Sequence, residues 1–279
     1  TGFLTHTSGT LKLSGNVAIT NSIYTTASYN IPATGGLWIN NPNFVVAPLT
    51  GSPTNRGLLR LTAGTYNVGT AAGNSMGANS GAIFTIEGGI LNIAGRLQTS
   101  SAITLNFSDG VINVCTVGNT SASATFGLTS SSNILNISGG TINISKRSGA
   151  ATPLDYYVSG SSINITGGTL NIGSEATAEN FNFFIRGVVP NLYIDNTTNP
   201  KYVSLRGETN VYGNVTINAG DTLYCLDANF NVIGNPNQIG NIINNGGIIS
   251  NSATGLNMFS FSGLHGQQTL SGTGTLGNV

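Results

Sequence analysis

Hydrophobic and polar residues alternate in short runs along this chain, and the runs recur as copies of one unit. SGGTINI at 138–144 returns as EGGILNI from Glu87, as SDGVINV from Ser108 and as TGGTLNI from Thr166. A looser copy, LRLTAGTYNV, begins at Leu59. The shared pattern is apolar-x-apolar-x-small-Gly-x-apolar-Asn-apolar. It predicts two strand segments joined by a glycine turn, because a strand sends every second side chain to the same face.

The copies share an asparagine, and its spacing gives the length of the repeat. These residues are Asn67, Asn92, Asn113, Asn143 and Asn171, separated by 25, 21, 30 and 28 residues. An irregular period in the twenties is typical of a solenoid whose coils carry loops of differing length. Successive coils stacked about 4.8 Å apart would pair in parallel and superpose equivalent side chains in columns.

The sequence therefore predicts an all-β fold, a right-handed parallel β-helix (solenoid) with irregular loops. A sandwich of antiparallel hairpins is the competing fold, but it gives no reason for one decapeptide to recur at coil length. The residues predicted to point inward are bulky or β-branched, as a buried pleated wall prefers. They are Leu59, Leu61, Tyr66, Val68, Phe84, Ile86, Leu91, Ile93, Leu105, Phe107, Ile112, Val114, Leu135, Ile137, Ile142, Ile144, Ile163, Ile165, Leu170 and Ile172.

Less regular sequence precedes the clear copies. Residues 1–57 are predicted to form a first coil, SGTLKLSGNVAIT, and cap-like loops around Trp38 and several prolines that cover one end of the solenoid. Residues 58–279 are predicted to continue as coils of one domain overall. Three connections rich in Gly, Ser, Ala and Thr are expected to project from one flank: 69–81, 116–131 and 145–161.

Composition narrows the classes of function. Charged residues make up 6% of the 279 residues, nine basic against nine acidic, while 39% of residues are hydrophobic. Without a basic stripe we expect no nucleic-acid partner, and the scarcity of Lys and Arg argues against attraction to anionic lipid. The chain has no long apolar run, so we expect no direct membrane insertion. Hydroxyls and amides would cover the outside, which suits contact with sugars or other neutral polar surfaces.

The repeat changes in form after residue 190, and here the sequence resembles a known family. The runs NLYIDN and VSLRGETNVYGNVTINAGDTLYCL, with GGTLNI units before them and LSGTGTLGNV after them, resemble the β-helical passenger segments of large Bacteroidota surface proteins. Those proteins are exported by the type 9 secretion system and include gliding-motility adhesins. The resemblance covers about two thirds of the chain and rests on the form of the repeat, which autotransporter adhesins share.

The resemblance implies a secreted module that acts in cell adhesion at the outer-membrane-associated cell surface. The implied partners are glycans or other surface ligands, other segments of a larger surface protein, and secretion or anchoring proteins. It also draws attention to Asp221-Thr222-Leu223, which looks like the Asp-Thr/Ser-apolar site for O-glycans in Bacteroidota. Thr222 is therefore a candidate O-glycosylation site.

The repeated asparagine has two interpretations. It lies between two inward apolar residues, so alternation sends it outward. Asn is a poor strand former, but amides one strand spacing apart can hydrogen-bond as a ladder. We predict a structural ladder through the five shared asparagines, with a second, partial column at Asn106, Asn136 and Asn164. Alternatively, the flat amide face binds glycans or the backbone of a partner.

The main alternative to a non-enzymatic module is a β-helical polysaccharide lyase or glycoside hydrolase. Hydrolysis needs paired carboxylates, but no two of the nine acidic residues adjoin in sequence. Glu87 and Asp109 occupy the turns of consecutive units, and Lys146 stands at the edge of a later loop. An enzyme would require these side chains to converge within about 10 Å. We predict no enzymatic activity.

Other candidate chemistry is sparse. Cys115 and Cys225 match no metal spacing and are predicted to be buried thiols. His6 and His265 are remote in sequence and stand beside no Cys or acid at metal spacing. The Asp-bearing glycine repeats of calcium-binding β-rolls are absent, so we predict no metal or other cofactor. An ice-binding face is a third hypothesis, but its Thr-x-Thr spacing occurs only at 5–7 and 273–275.

Overall fold

The computed structural model describes residues 6–15, 30–46, 51–150, 154–173, 181–194, 199–225, 228–249 and 259–277. Within them the fold is all-β without a helix, and about nine turns stack as a parallel β-solenoid. The strands of the first half are β1 (Gly9–Ser14), β2 (Asn30–Ile31), β3 (Gly35–Val46), β4 (Thr54–Asn55), β5 (Leu58–Val68), β6 (Met76–Ala78), β7 (Ile83–Ile93), β8 (Leu97–Thr99), β9 (Thr104–Val114), β10 (Phe126–Leu128), β11 (Ile134–Ile137), β12 (Thr141–Ile144) and β13 (Tyr156–Val158). Those of the second half are β14 (Ser162–Ile165), β15 (Thr169–Ile172), β16 (Phe181–Val189), β17 (Asn191–Ile194), β18 (Lys201–Val211), β19 (Val215–Ile217), β20 (Thr222–Tyr224), β21 (Phe230–Val232), β22 (Ile242–Asn244), β23 (Gly247–Ile249), β24 (Phe259–Phe261), β25 (Leu270–Ser271) and β26 (Thr275–Gly277).

The strands form two 13-stranded sheets. Sheet A runs in the order β1-β3-β5-β7-β9-β12-β15-β17-β19-β22-β25, with β11 and β14 beside its middle. Sheet B runs in the order β2-β4-β6-β8-β10-β13-β16-β18-β20-β23-β26, with β21 and β24 beside its end. Neighbouring strands come from successive turns and pair in parallel. The predicted parallel β-helix is confirmed, and the antiparallel sandwich is excluded.

The copies of the repeat lie directly over one another in sheet A. Leu61 pairs with Ile86, Ile86 with Phe107, Phe107 with Ile137, and Ile137 with Ile165. Every residue that the alternation predicted to point inward is buried, except Ile163, which is only partly buried. Among the strands that the structure describes, its strand, β14, pairs with β11 alone.

A glycine turns the chain between the two segments of β5, β7 and β9 in sheet A. Gly64, Gly89 and Gly110 have φ of +85°, +73° and +91°, a region that side chains with a Cβ rarely adopt. A Cβ at Gly89 would also lie 2.6 Å from the carbonyl oxygen of Gly64 on the preceding turn. The repeated glycine is therefore required both by its backbone conformation and by the stacking of the turns.

The connections predicted to project from one flank contain strands, so that prediction is wrong. β6, β10 and β13 lie inside them and form rungs of sheet B. Their side chains complete the core, since Met76, Phe126 and Tyr156 are fully buried. Strands of three residues show too little alternation to be recognised between stretches of Gly, Ser and Ala.

Regular rungs also begin earlier and continue later than the clearest copies. Trp38 lies in β3, which pairs with β1 and β5, so it belongs to a rung and not to a cap-like loop. After β15 the coils continue with a different arrangement of strands, because the two halves of β18 pair with different strands, β20 and β21. Sheet A is therefore continuous across the boundary that was predicted at residue 57.

Candidate functional site

The outer face of sheet A carries a column of asparagine amides. Asn67, Asn92, Asn113, Asn143 and Asn171 are in register on successive turns and half-buried. The side-chain Nδ2 of Asn92 donates to Oδ1 of Asn67 at 2.8 Å, Asn113 donates to Asn92 at 2.7 Å, and Asn143 donates to Asn113 at 2.7 Å. Each amide thus donates toward the preceding turn, as a ladder of amides requires.

The column ends at Asn171. Tyr193 takes the equivalent position on the next turn, and Oδ1 of Asn171 is buried without a hydrogen-bond partner among the described residues. The second column is shorter: Nδ2 of Asn136 donates to Oδ1 of Asn106 at 2.9 Å, and Asn164 stands in register beyond it. The amide surface therefore covers the middle turns of the solenoid.

Two further asparagine columns were not predicted from the sequence. At the start of β17 and β19, Oδ1 of Asn191 accepts the backbone N–H of Asn214 at 2.7 Å, and Oδ1 of Asn214 accepts that of Asn241 at 2.8 Å. On another face, Asn231 donates to Asn210 at 2.8 Å. The signal was present, because NLYI, NVTI and NIIN each open with an asparagine, but these runs lack the glycine that marks the clear copies.

Two of the three residues required by the enzyme hypothesis are neighbours. Glu87 and Asp109 pair across β7 and β9, and both are exposed. The Glu87 carboxylate accepts a charge-assisted hydrogen bond from Nε of Arg60 at 2.6 Å. Oδ1 of Asp109 accepts the N–H of Gly110 at 2.7 Å. Both carboxylates are therefore held by neighbours within sheet A.

Lys146 does not join them. The turn position equivalent to Asp109 on the following coil is Gly139, and Lys146 lies seven residues further along the chain. Lys146 follows the end of β12, and at roughly 3.3 Å per residue the four residues of that strand alone separate it from the turn by about 13 Å. Four other acidic residues considered in the sequence lie outside the described residues: Glu175, Glu179, Asp195 and Asp227.

A buried carboxyl group that no sequence pattern predicted lies at the start of β13. Asp155 is fully buried; its Oδ1 accepts the N–H of Ser148 at 2.7 Å and its Oδ2 accepts the N–H of Phe184 at 2.9 Å. Burial raises the pKa of Asp155 to about 7, although both N–H donors and the charge of Arg147 act to lower it. Asp155 joins three segments of chain, so its arrangement is that of a structural group.

The candidate O-glycosylation site lies in β20. Thr222 is half-buried on the outer face of sheet B, in register with Tyr202 on the preceding turn and Gly247 on the following one. Its neighbour Asp221 is buried and accepts the backbone N–H of Lys201 at 2.8 Å. Glycosylation of Thr222 stays a prediction.

Cations stack on aromatic rings at two places on the outer surface. Nζ of Lys12 and the guanidinium carbon of Arg60 lie 3.9 Å and 4.2 Å from the ring centre of Trp38, from the turns on either side of it. On sheet B, the guanidinium of Arg186 lies 4.6 Å from the ring centre of Tyr157, and that of Arg206 lies 4.2 Å from that of Phe184. We call these last four residues the arginine–aromatic cluster.

Metal chemistry finds no support in the described residues. They contain no group of three or more His, Cys, Asp or Glu side chains that could hold an ion. Cys115 and Cys225 are both buried, as predicted, and burial raises the pKa of the Cys225 thiol to about 12. Nε2 of His6 lies 2.7 Å from the carbonyl oxygen of Gly9, whereas His265 is exposed in the last turns.

Comparison with family models, with curated proteins and with solved structures found no match to this chain. In the part of the chain that the structure describes, no helix is long and apolar enough to cross a bilayer. The fold and its outer surface are therefore the basis for a functional conclusion.

Proposed function

We propose that this chain is a non-enzymatic, extracellular β-helical module of a bacterial cell-surface adhesin. It extends or presents a binding surface for glycans or other surface ligands. The observation that carries the proposal is the continuous stacking of outward amide side chains on sheet A, from Asn67 to Asn171. Such a surface has many hydrogen-bonding groups and little charge, as neutral polar ligands require.

The way in which this surface is built supports a role in presentation. Hydrogen bonds between the stacked amides fix the side chains in place, so the surface loses little conformational freedom when a ligand binds. Each turn contacts its neighbours through backbone pairing and buried aliphatic columns, which makes the module an extended scaffold. Export by the type 9 secretion system and a role in gliding motility are proposed from the sequence resemblance.

The experiment is a glycan array probed with the purified chain, together with activity assays on a panel of polysaccharides. We expect binding to a subset of glycans and no turnover. Labelling of intact cells with an antibody to the chain tests the proposed location at the cell surface. Loss of the label after mild proteolysis of whole cells is expected for an exposed module, and label seen only after lysis would contradict it.

A polysaccharide-cleaving enzyme is the second candidate, because Glu87 and Asp109 lie on adjacent turns about 4.8 Å apart at the backbone. Retaining glycosidases need two carboxyl groups roughly 5 to 5.5 Å apart, and side chains on adjacent turns could reach that separation. Turnover by the purified chain that is lost in both Glu87→Gln and Asp109→Asn would establish this function. Turnover unaffected by either substitution would place the activity elsewhere and still overturn the non-enzymatic proposal.

A further inference from the structure

The arginine–aromatic cluster lies on the outer face of sheet B, where the alternation of β16 and β18 sends Phe184, Arg186 and Arg206 outward. Ile185 pairs with Leu205, and the register between β16 and β18 shifts directly after this pair, so Arg186 and Arg206 stand on adjacent turns at an irregularity of the sheet. Each guanidinium rests on a ring of the turn before it, Arg186 on Tyr157 and Arg206 on Phe184. Two like charges thus lie on adjacent turns, each stacked on an aromatic ring.

Neither arginine has an acidic partner in the described part of the chain. Both side chains are exposed, and neither guanidinium forms a hydrogen bond or ion pair there. The acid that follows them in β18, Glu208, has its carboxylate directed at the amides of Asn210 and Asn231, at 3.1 Å and 3.3 Å. The N–H groups of both guanidiniums therefore remain available to a ligand.

The chain also makes room for this arrangement. A Cβ at Gly207 would lie 2.9 Å from both Cδ and Nε of Arg186, so the glycine leaves room for the arginine to pass close to the backbone of the next turn. Stacking on rings orients a guanidinium with its plane fixed and its donors at the edge. The cost of ordering two long side chains is thus met before a ligand arrives.

We propose that this cluster binds a polysaccharide that carries carboxylate groups, such as a chain of uronic acids. Planar guanidiniums bind carboxylates through two parallel N–H···O hydrogen bonds, and two arginines on adjacent turns can engage two carboxylates of one polymer. Tyr202 and Tyr224 stand half-buried on the same face, with ring centres 6.0 Å apart, and offer apolar surface and hydroxyls to the sugar rings. Only the choice of a glycan as ligand rests on the function proposed above.

The test compares binding of polygalacturonate and of a neutral galactan to the purified chain, by titration calorimetry at low and moderate salt. We expect tighter binding of polygalacturonate that weakens as salt rises, because exposed charges are screened. Combined Arg186→Ala and Arg206→Ala substitutions should weaken it at least tenfold, since charge-assisted hydrogen bonds are lost. Arg56→Ala is the control for each single substitution, because Arg56 is exposed on a distant turn and its removal, like that of Arg186 or Arg206 alone, lowers the net charge by one.

Two further variants distinguish binding at a specific arginine site from non-specific attraction by positive charge. Replacing both arginines by lysine keeps the charge but removes the planar donors, and we expect a loss close to that of the alanine variant. Gly207→Ala keeps both arginines but displaces Arg186, and should weaken binding severalfold. Equal affinity of the lysine variant and the wild type, or an equal loss from Arg56→Ala, would overturn the proposal.

The same measurements distinguish this site from the proposed function as a whole. Binding of neutral glycans with no preference for polygalacturonate overturns the acidic-glycan site and leaves the adhesin proposal standing. Tighter binding of inorganic polyphosphate than of polygalacturonate also overturns it, because the site would then select phosphate. Circular dichroism of each variant shows whether the fold is retained, so that a loss of binding is assigned to the site.

Discussion

The buried carboxyl group of Asp155 makes the stability of this protein depend on pH in a direction opposite to that of most acidic residues. Burial raises its pKa from 3.8 to about 7, and this desolvation outweighs the two N–H donors, from Ser148 and Phe184, and the charge of Arg147. Between about pH 4 and 7 the folded chain therefore keeps a proton that the unfolded chain has released. The contribution of Asp155 to stability is fully present below about pH 4 and is lost as the pH rises through about 7.

The magnitude follows from the size of the shift. A change from 3.8 to about 7 is about three pKa units, and each unit corresponds to about 1.36 kcal/mol. The free energy of unfolding should therefore fall by about 4 kcal/mol from this group between about pH 4 and pH 8. Other carboxylates contribute their own dependence, so the prediction concerns the difference between the wild type and Asp155→Asn, which cannot ionise.

Urea unfolding followed by circular dichroism at pH 4, 5, 6, 7 and 8 measures that difference. We expect Asp155→Asn to be less stable than the wild type at pH 4, because its NH₂ group cannot accept one of the two backbone N–H groups. The difference in the free energy of unfolding between the wild type and Asp155→Asn should become smaller, or change sign, toward pH 8. Asp109→Asn, which replaces an exposed acid elsewhere in the chain, serves as control and should keep the part of the pH dependence that Asp155 produces. A gap that stays constant or widens with pH would show that hydrogen bonds and Arg147 outweigh desolvation.

Three further predictions concern the stacked columns and use the same unfolding measurement. Asn113→Ala removes two side-chain hydrogen bonds, each of 2.7 Å, and should cost about 1 to 3 kcal/mol; no loss relative to Asn164→Ala in the shorter column would contradict the ladder. Ile142→Ala should cost about 2 to 5 kcal/mol and Ile163→Ala clearly less, because Ile142 is fully buried and Ile163 only partly; equal costs would refute the described packing. Gly89→Ala should cost more than about 1 kcal/mol, from the positive φ and the contact with the preceding turn, and a neutral result would mean that the turns do not stack as closely.

The parallel solenoid could be predicted because its repeat contains both the inward alternation and the glycine turn. The ten residues of that unit indicate a first strand segment, a glycine turn and a second strand segment. The alternation within the two segments then identifies the buried residues of β5, β7 and β9. Sheet B could not be predicted, because MGA and FGL in β6 and β10 are too short for alternation to be recognised. These short strands of sheet B are recognised only from their pairing with strands of the neighbouring turns.

Of the candidate sites, too, only the one that belongs to the repeat could be predicted from the sequence. The asparagine column was predicted because its members occupy one position of a repeat, so their proximity follows from stacking alone. The arginine–aromatic cluster was not, although the alternation in FNFFIRGVV places Phe184 and Arg186 on one face. Its other members come from the preceding and following turns at unequal spacing in the sequence, 29 residues from Tyr157 to Arg186 and 22 from Phe184 to Arg206. Asp155 was missed because burial of a single acid in a polar stretch leaves no pattern.

The register between turns determines where this chain tolerates a change of length. The bends outside the rungs already differ in length from coil to coil, so extra residues in an exposed bend would enlarge that bend and leave the neighbouring rungs aligned. Deleting one residue within β12 would instead move each later side chain of that strand to the opposite face, with isoleucines in water and Asn143 in the core. Variation in length is thus confined to the bends, and within a rung even a single-residue deletion is disruptive.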